Sequence, residues 1–266
     1  RLSFFSCGSL ETYRDMLIHN GGHVHFTTPV PFFLIQHKGK NILFDIGCHF
    51  FDREEHLLPQ LRENVTPNFT EDEWAPKAIA TIGLKPTDID FVILSHLHFD
   101  HAGAVTEFPN ATVLVQKKEF DYMRRPDYFM TSSYYNDEAP APVPNFLPSG
   151  DMGQVDWFFL EGWRDSPFDL FRDGRLMLYF TPGHSPGHQS LLVNTEKSGS
   201  FLLCADACYA QENISDGVLP GLATDSTAYL QNLKFFKLME KTGVTLVPGH
   251  DPYLWERFRH APEYYE

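Results

Sequence analysis

The chain has 266 residues, with 21 Lys and Arg against 35 Asp and Glu, a formal charge of −14. Hydrophobic residues make up 42 % and charged residues 21 %, which excludes a disordered chain and leaves enough apolar material for a real core. The acidic balance argues against a nucleic-acid backbone or an anionic membrane as partner, and no apolar run approaches the roughly 18 residues of a membrane span.

In chain order, His37-Lys38-Gly39-Lys40 separates Phe32–Gln36 from Asn41–Asp45 and reads as the turn of a β-hairpin. Asp72–Ile82 has helical spacing and stops at Gly83. Phe91–Leu94 is strand-like, as is Ala111–Gln116, which a helix from about Lys117 to Arg124 follows. Arg125–Asp151 is rich in Pro, Asn, Ser and Tyr and predicts a long irregular excursion, of the kind that forms functional lids or is disordered. Leu176–Phe180 is a strand, and Gln189–Asn194 and Ser200–Ala205 form a second hairpin around Glu196–Gly199. Ser226–Lys241 is a helix, capped by Asp225 or Ser226 and stopped by Gly243, and Val244–Val247 is a late strand. Hairpins mixed with helices in both halves predict an α+β fold, a sandwich of mixed sheets flanked by helices. Residues 1–266 read as a single domain with an aromatic-rich irregular insertion around 120–165.

Cys7, Cys48, Cys204 and Cys208 form no CxxC pair and no regular framework, and no basic-then-apolar leader opens the chain. Free thiols in a reducing compartment, hence a cytoplasmic location, are expected.

The strongest chemical signal is His96-Leu97-His98-Phe99-Asp100-His101, directly after the strand Phe91–Leu94. Four potential metal ligands lie within six residues, and imidazole with carboxylate suits Zn²⁺ and similar divalent ions. Three more donors repeat the context. His184 follows Leu176–Phe180 through Thr181-Pro182-Gly183, Asp206 follows Phe201–Ala205, and His250 follows Val244–Val247 through Pro248-Gly249. Side chains at strand ends can converge on one edge of a sheet. Six donors, His96, His98, Asp100, His101, His184 and His250, can supply three to each of two metals, and the two oxygens of Asp206 can bridge them. Open positions on such metals are what separate catalytic from structural sites.

This pattern, complete and in order over nearly the whole chain, resembles the metallo-β-lactamase superfamily, and the resemblance implies an αββα sandwich with a dinuclear metal site at one edge. Ser95–Gly103, the run Tyr179–Ser190 and Asp206-Ala207-Cys208-Tyr209 are most similar to the quorum-quenching N-acyl-homoserine lactonases. The resemblance implies that His96, His98 and His184 bind one metal, that Asp100, His101 and His250 bind the other, and that Asp206 bridges. It selects His184 over His188 in the repeated Pro-Gly-His, places Tyr209 over the site as a hydrogen-bond partner of substrate, and puts Asp45 near the metals, where it could orient a ligand imidazole from behind, the residues alone being equally in keeping with a turn carboxylate that closes a strand. The implied reaction is attack of a metal-bridging hydroxide on the lactone carbonyl, with Tyr209 stabilising the oxyanion and Asp100 passing a proton to the leaving oxygen. Zinc is the first expectation for both ions, and the same donors accept iron, manganese or cobalt.

Other features are weaker. His23-Val24-His25 lacks a following Asp-His and reads as structural or as pocket rim, and His49 is ambiguous. Cys204 and Cys208 flank Asp206 and are expected to pack rather than ligate. The aromatic group Phe120, Tyr122, Tyr128, Phe129, Tyr134, Tyr135, Phe146, Trp157, Phe158, Phe159 and Trp163 favours an apolar substrate such as an acylated lactone, or a homodimer contact. The alternatives are another ester or thioester hydrolase of the glyoxalase II type, a β-lactamase, and a non-catalytic metal-binding protein. Full retention of the seven donors counts against the last.

Overall fold

A computed structural model describes residues 1–53, 57, 59–136, 143–144, 154–162 and 166–266. The strands in chain order are β1 (Leu2–Tyr13), β2 (His25–His37), β3 (Lys40–Phe44), β4 (Thr66–Asn68), β5 (Phe91–Ile93), β6 (Thr112–Gln116), β7 (Tyr135–Asn136), β8 (Val143–Pro144), β9 (Asp156–Leu160), β10 (Phe168–Asp169), β11 (Leu176–Phe180), β12 (Gln189–Asn194), β13 (Ser200–Ala205) and β14 (Thr245–Pro248). A seven-stranded sheet runs β4-β1-β2-β3-β5-β6-β9, a five-stranded sheet runs β10-β11-β12-β13-β14, and β7 pairs with β8 alone. Both large sheets are mixed: β1, β2 and β3 are antiparallel while β3, β5, β6 and β9 are parallel, and β14 joins the antiparallel β11-β12-β13 in parallel to β13.

The period-2 alternation of side chains explains the layers. In β2, Phe33 and Ile35 face the second sheet, where they meet Leu191, Val193, Phe201 and Leu203, while Phe32 and Leu34 face an outer layer with Ile79, Leu97 and Phe99. In β13, Phe201 and Leu203 point inward, and Leu202 and Cys204 pack against Tyr229, Leu233 and Phe236 of the helix Ser226–Lys241. Each inner strand is therefore buried on both faces, and the order is helix, sheet, sheet, helix, as expected for an αββα sandwich.

The hairpin at His37–Lys40 is present, with Lys38 and Gly39 both at positive φ, which matches the right-handed twist of the paired strands. The second hairpin and the Ser226–Lys241 helix also form, and the Asp225 side chain accepts the Ala228 N–H at 2.9 Å. The helix expected over Asp72–Ile82 is instead three short pieces, Glu71–Glu73, Ala75–Ala78 and Ile79–Ile82. Pro76 explains the break at Trp74: it sits in the first turn of the middle piece, where its missing N–H costs nothing, and Trp74 just before that piece is extended. Strands β1, β4, β9 and β10 have no counterpart in the sequence reading. Within β1 the register shifts between Ser6 and Ser9, around Gly8, which interrupts the alternation that marks a strand. No described helix is long and apolar enough to cross a membrane.

Strands β3 and β5 run parallel, so Asp45 and Ser95 leave the first sheet at the same end. In the second sheet β11, β13 and β14 share one direction, so His184, Asp206 and His250 emerge together. Gln189 sews the two ends: its N–H donates to Ser95 O at 2.9 Å and its side-chain amide to Leu94 O at 2.8 Å.

Candidate metal centre

Where the two sheet ends meet, His96, His98, His184 and Asp206 form one buried group of ligand atoms and Asp100, His101 and His250 a second, each group within 4.8 Å. His184 Nε2 lies 3.1 Å from His96 Nε2 and 2.9 Å from His98 Nδ1. Asp206 spans the groups with one oxygen each. Its Oδ2 is 3.3 Å from His184 Nε2 and 3.7 Å from His96 Nε2; its Oδ1 is 3.1 Å from His101 Nε2 and 3.2 Å from His250 Nε2. Asp100 Oδ2 lies 3.6 Å from both His101 Nε2 and His250 Nε2.

The arrangement fits divalent cations. Zinc–nitrogen bonds of about 2.0–2.1 Å in a tetrahedron put ligand atoms about 3.3 Å apart, close to these separations. His101 Nε2 and Asp206 Oδ1 are buried without a hydrogen-bond partner among the described residues, and a cation between them supplies what the protein does not.

Protonation divides the groups. Burial, then the neighbouring imidazoles, holds His96 and His98 far below the ordinary histidine value, and burial brings His184 down to about 4. These rings are neutral near pH 7, the form that binds metal. For His101 and His250 burial pulls the same way, but the carboxylates of Asp206 and Asp100 outweigh it and raise both. Burial raises the Asp100 carboxyl; Asp206, despite burial, is held far below the ordinary range by His101, His250 and His184.

The sequence profile of the metallo-beta-lactamase superfamily matches residues 25–250. The chain belongs to the metallo-β-lactamase superfamily. It is 35 % identical, over all of its length and 98 % of the other chain, to the N-acyl homoserine lactonase AttM of Azorhizobium caulinodans. It is 33 % identical to the N-acyl homoserine lactonase AiiA of Bacillus thuringiensis subsp. kurstaki, over 75 % of this chain and 71 % of that one. An N-acyl homoserine lactone hydrolase solved with the product N-hexanoyl-L-homoserine at its catalytic metal centre superposes with a TM-score of 0.83 at 28 % identity, covering 99 % of this chain and 98 % of that one.

In this superfamily member the cluster is anchored from behind. Asp45 Oδ2 accepts from His101 Nδ1 at 2.9 Å and from the Ser95 hydroxyl at 2.8 Å, and its Oδ1 accepts the Ser95 N–H at 2.7 Å. Ser95 Oγ is in turn 2.9 Å from His96 Nδ1, so one carboxylate orients a ring in each group. His250 Nδ1 donates to Pro29 O at 2.8 Å. Asp45 and Ala205, non-glycine residues at φ 54° and 45°, stand at the strand ends that carry the site. Such conformations cost about 1–3 kcal/mol and persist only where surrounding contacts enforce them. Gly249 permits the close approach next to the bridge, since a Cβ there would fall 2.9 Å from Asp206 Oδ1.

Tyr209 is buried against both groups, perpendicular to the His184 ring and stacked on His250. Its hydroxyl is 3.1 Å from His184 Nδ1, so it touches a ligand ring as well as facing the cluster. Burial, then Asp206, pushes its pKa far up and keeps the hydroxyl protonated. His188 lies outside both groups, its Nδ1 on Thr181 Oγ1 at 2.9 Å. His23 pairs with Asp15 at the surface and belongs to neither ligand group, and all four cysteines are free and buried. Ser95 is a residue whose role sequence reasoning missed; its position next to His96 was a signal, but that role depends on Asp45, 50 residues away.

A cavity of about 70 Å³ opens on the cluster, with an apolar wall of Leu10, Met16, Leu17, Leu61, Val65, Phe99 and Leu222. Among the described residues, the lining combines Leu10, Met16 and Leu17 near the N-terminus with Leu61, Val65, Phe99 and Leu222, and Ser133 comes from the aromatic stretch. Of the aromatic group, Tyr134 meets His98 edge-on at 4.6 Å, while Phe120, Trp157 and Phe159 pack on one another. Tyr128 is 96 % exposed, and Phe146 and Trp163 lie outside the described residues. A larger cavity, about 560 Å³ beside Gln116, Lys118, Leu160 and Phe180, contains neither ligand group, so size alone does not locate the chemistry.

Proposed function

We propose that this protein is a dinuclear metal-dependent hydrolase that opens the lactone ring of N-acyl-homoserine lactones, giving the N-acyl-homoserine, with the whole chain acting as one catalytic domain. The observation that carries the reading is the Asp206 carboxylate with one oxygen toward each triad. His96, His98 and His184 would hold one cation, and Asp100, His101 and His250 the other, with Asp206 shared. Nitrogen and oxygen donors without thiolate favour zinc, and iron, manganese and cobalt fit the same set. When bound, the two cations supply Lewis acidity at the carbonyl and bring the pKa of water near neutrality.

The protein's own groups do the rest. The protonated Tyr209 hydroxyl, fixed by its contacts with His184 and His250, donates to the oxygen on which negative charge develops. Asp100, whose carboxylate lies beside His101 and His250, takes the proton that the added hydroxyl loses and passes it to the ring oxygen as it leaves. The apolar wall at Leu10, Met16, Leu17 and Leu222 suits an acyl chain, each buried methylene contributing about 0.8 kcal/mol. Four free, buried thiols are in keeping with a cytoplasmic setting.

The test is proton release from a short- and a long-chain N-acyl-homoserine lactone by metal-loaded protein, with phenyl acetate and a thioester as comparators. Fast lactone turnover that chelation abolishes supports the reading. Turnover of the ester or thioester alone defeats it. Tyr209→Phe is expected to retain metal and lose rate; unchanged kinetics would remove Tyr209 from the mechanism.

A further inference from the structure

Glu119 lies in the helix Lys117–Met123 and is 0 % exposed. It has no cationic partner among the described residues, and all its contacts are hydrogen bonds. Oε1 accepts the Leu97 N–H at 3.2 Å and the Tyr134 hydroxyl at 2.8 Å, while Oε2 accepts the Ser185 hydroxyl at 2.7 Å and the Gly187 N–H at 3.0 Å. A buried carboxylate is costly unless its oxygens are satisfied, and here both are. The partners are specific. Leu97 separates His96 from His98, Ser185 follows His184, and Tyr134 presents its ring to His98. Gly187 lets the loop reach the helix, since a Cβ there would clash with the Glu119 backbone. The second triad is held by other groups, His101 by Asp45 and His250 by Pro29 O.

We infer that Glu119 is a positioning residue for one metal site only: it fixes the His96–His98 turn and the His184 turn at the spacing that site requires, and leaves the Asp100, His101 and His250 site untouched. The inference rests on the metal reading of the cluster given above. Its geometric core is that the two backbone N–H groups sit on different oxygens of Glu119. Glutamine has nearly the same shape but one acceptor oxygen, so in Glu119→Gln either Leu97 N–H or Gly187 N–H faces an NH₂ group. Whichever loses its acceptor, a loop carrying a ligand of the first site is released.

The experiment measures zinc affinity by chelator competition in two backgrounds, with folding checked by circular dichroism. His101→Ala leaves the first triad intact, and His98→Ala leaves the second. Adding Glu119→Gln is expected to weaken zinc binding about 10- to 100-fold in the His101→Ala background, the usual effect of losing a hydrogen bond behind a metal ligand, with little change in the His98→Ala background. Equal losses in both backgrounds, or no loss in either, overturn the inference. If Glu119→Gln fails to fold, Ser185→Ala removes a single donor and is expected to give a smaller loss confined to the His101→Ala background; no loss there overturns it equally. A parent protein that binds no zinc in either background fails earlier and overturns the metal reading together with the inference, a result distinct from uniform or absent loss in a zinc-binding parent.

Discussion

The triad of His96, His98 and His184 is all imidazole, kept neutral by burial, and its turns hang on Glu119. The triad of Asp100, His101 and His250 contains a carboxylate, and its two imidazoles are pulled toward protonation by Asp206 and Asp100. The halves share the Asp206 carboxylate and similar donors, yet burial favours the neutral, metal-binding rings in the first, while the carboxylates favour the charged rings in the second. Equal ligand counts therefore do not make equal sites. On the metal reading, the groups behind the ligands and the carboxylates beside them would set how tightly and at what pH each half binds.

The largest effect expected is from Asp206→Ala, which removes the oxygen facing each triad. Both metals should be lost in analysis of the purified protein, with lactone turnover falling to background; loss of one metal alone would break the symmetry of the bridge. Asp45→Asn comes next. Asparagine tolerates the left-handed backbone at this position but cannot accept all three hydrogen bonds, two from Ser95 and one from His101. Zinc affinity is expected to fall about 10- to 100-fold at both sites, in contrast to the one-sided effect of Glu119→Gln. A one-sided loss for Asp45→Asn would show that the Ser95 link to His96 carries no weight.

A pH series sharpens the same comparison. His184 has its value lowered from 6.5 to about 4, so between those pH values the unfolded chain binds more protons than the fold, and metal-free stability falls on acidification through that window. His101 and His250 are shifted the other way. Their contribution to the metal-free fold is fully present below about 6.5 and is lost as pH rises through their raised values. Zinc binding at the second site should therefore weaken more steeply on acidification than binding at the first. Chelator competition in the His98→Ala and His101→Ala backgrounds reads this directly, and parallel slopes would refute the proton asymmetry. The smallest effect is expected from Asp225→Ala, which removes the helix cap on Ala228 N–H. Thermal or denaturant unfolding should register a loss of about 0.5–2 kcal/mol, with zinc affinity at both sites unchanged; a change at either would tie that helix to the site.

Much of this was legible in the chain. The hairpin at His37–Lys40 and the helix Ser226–Lys241 are specified by local signals, a Gly in the turn and an Asp at the cap. The run His96–His101 concentrates four donors in one loop, and His184, Asp206 and His250 each follow an apolar strand. Other features were hidden because their cause is distant or irregular. Strand β1 is interrupted at Gly8 and completed by pairing with β2 and β4. The Asp72–Ile82 segment keeps helical spacing while Pro76 divides it. The aromatic stretch reads as a substrate wall, and part of it lies outside the described residues; among those described, Leu10, Met16, Leu17, Leu61, Val65, Phe99 and Leu222 wall the cluster, a set no local pattern announces.

By itself the sequence determined which donors exist and that each stands at the end of a strand, because donor chemistry and hydrophobic period are local properties of the chain. Tertiary structure decided how those donors divide and what holds them. Asp206 faces both triads only because β13 and β14 run parallel and bring His250 beside it. Glu119 carries no motif, since its four donors lie 15, 22, 66 and 68 residues away and only the packing of a helix against two loops makes it their common acceptor. Burial lowers the imidazoles of both triads and the carboxylates outweigh it only in the second, a balance that belongs to the assembled fold and to no single segment.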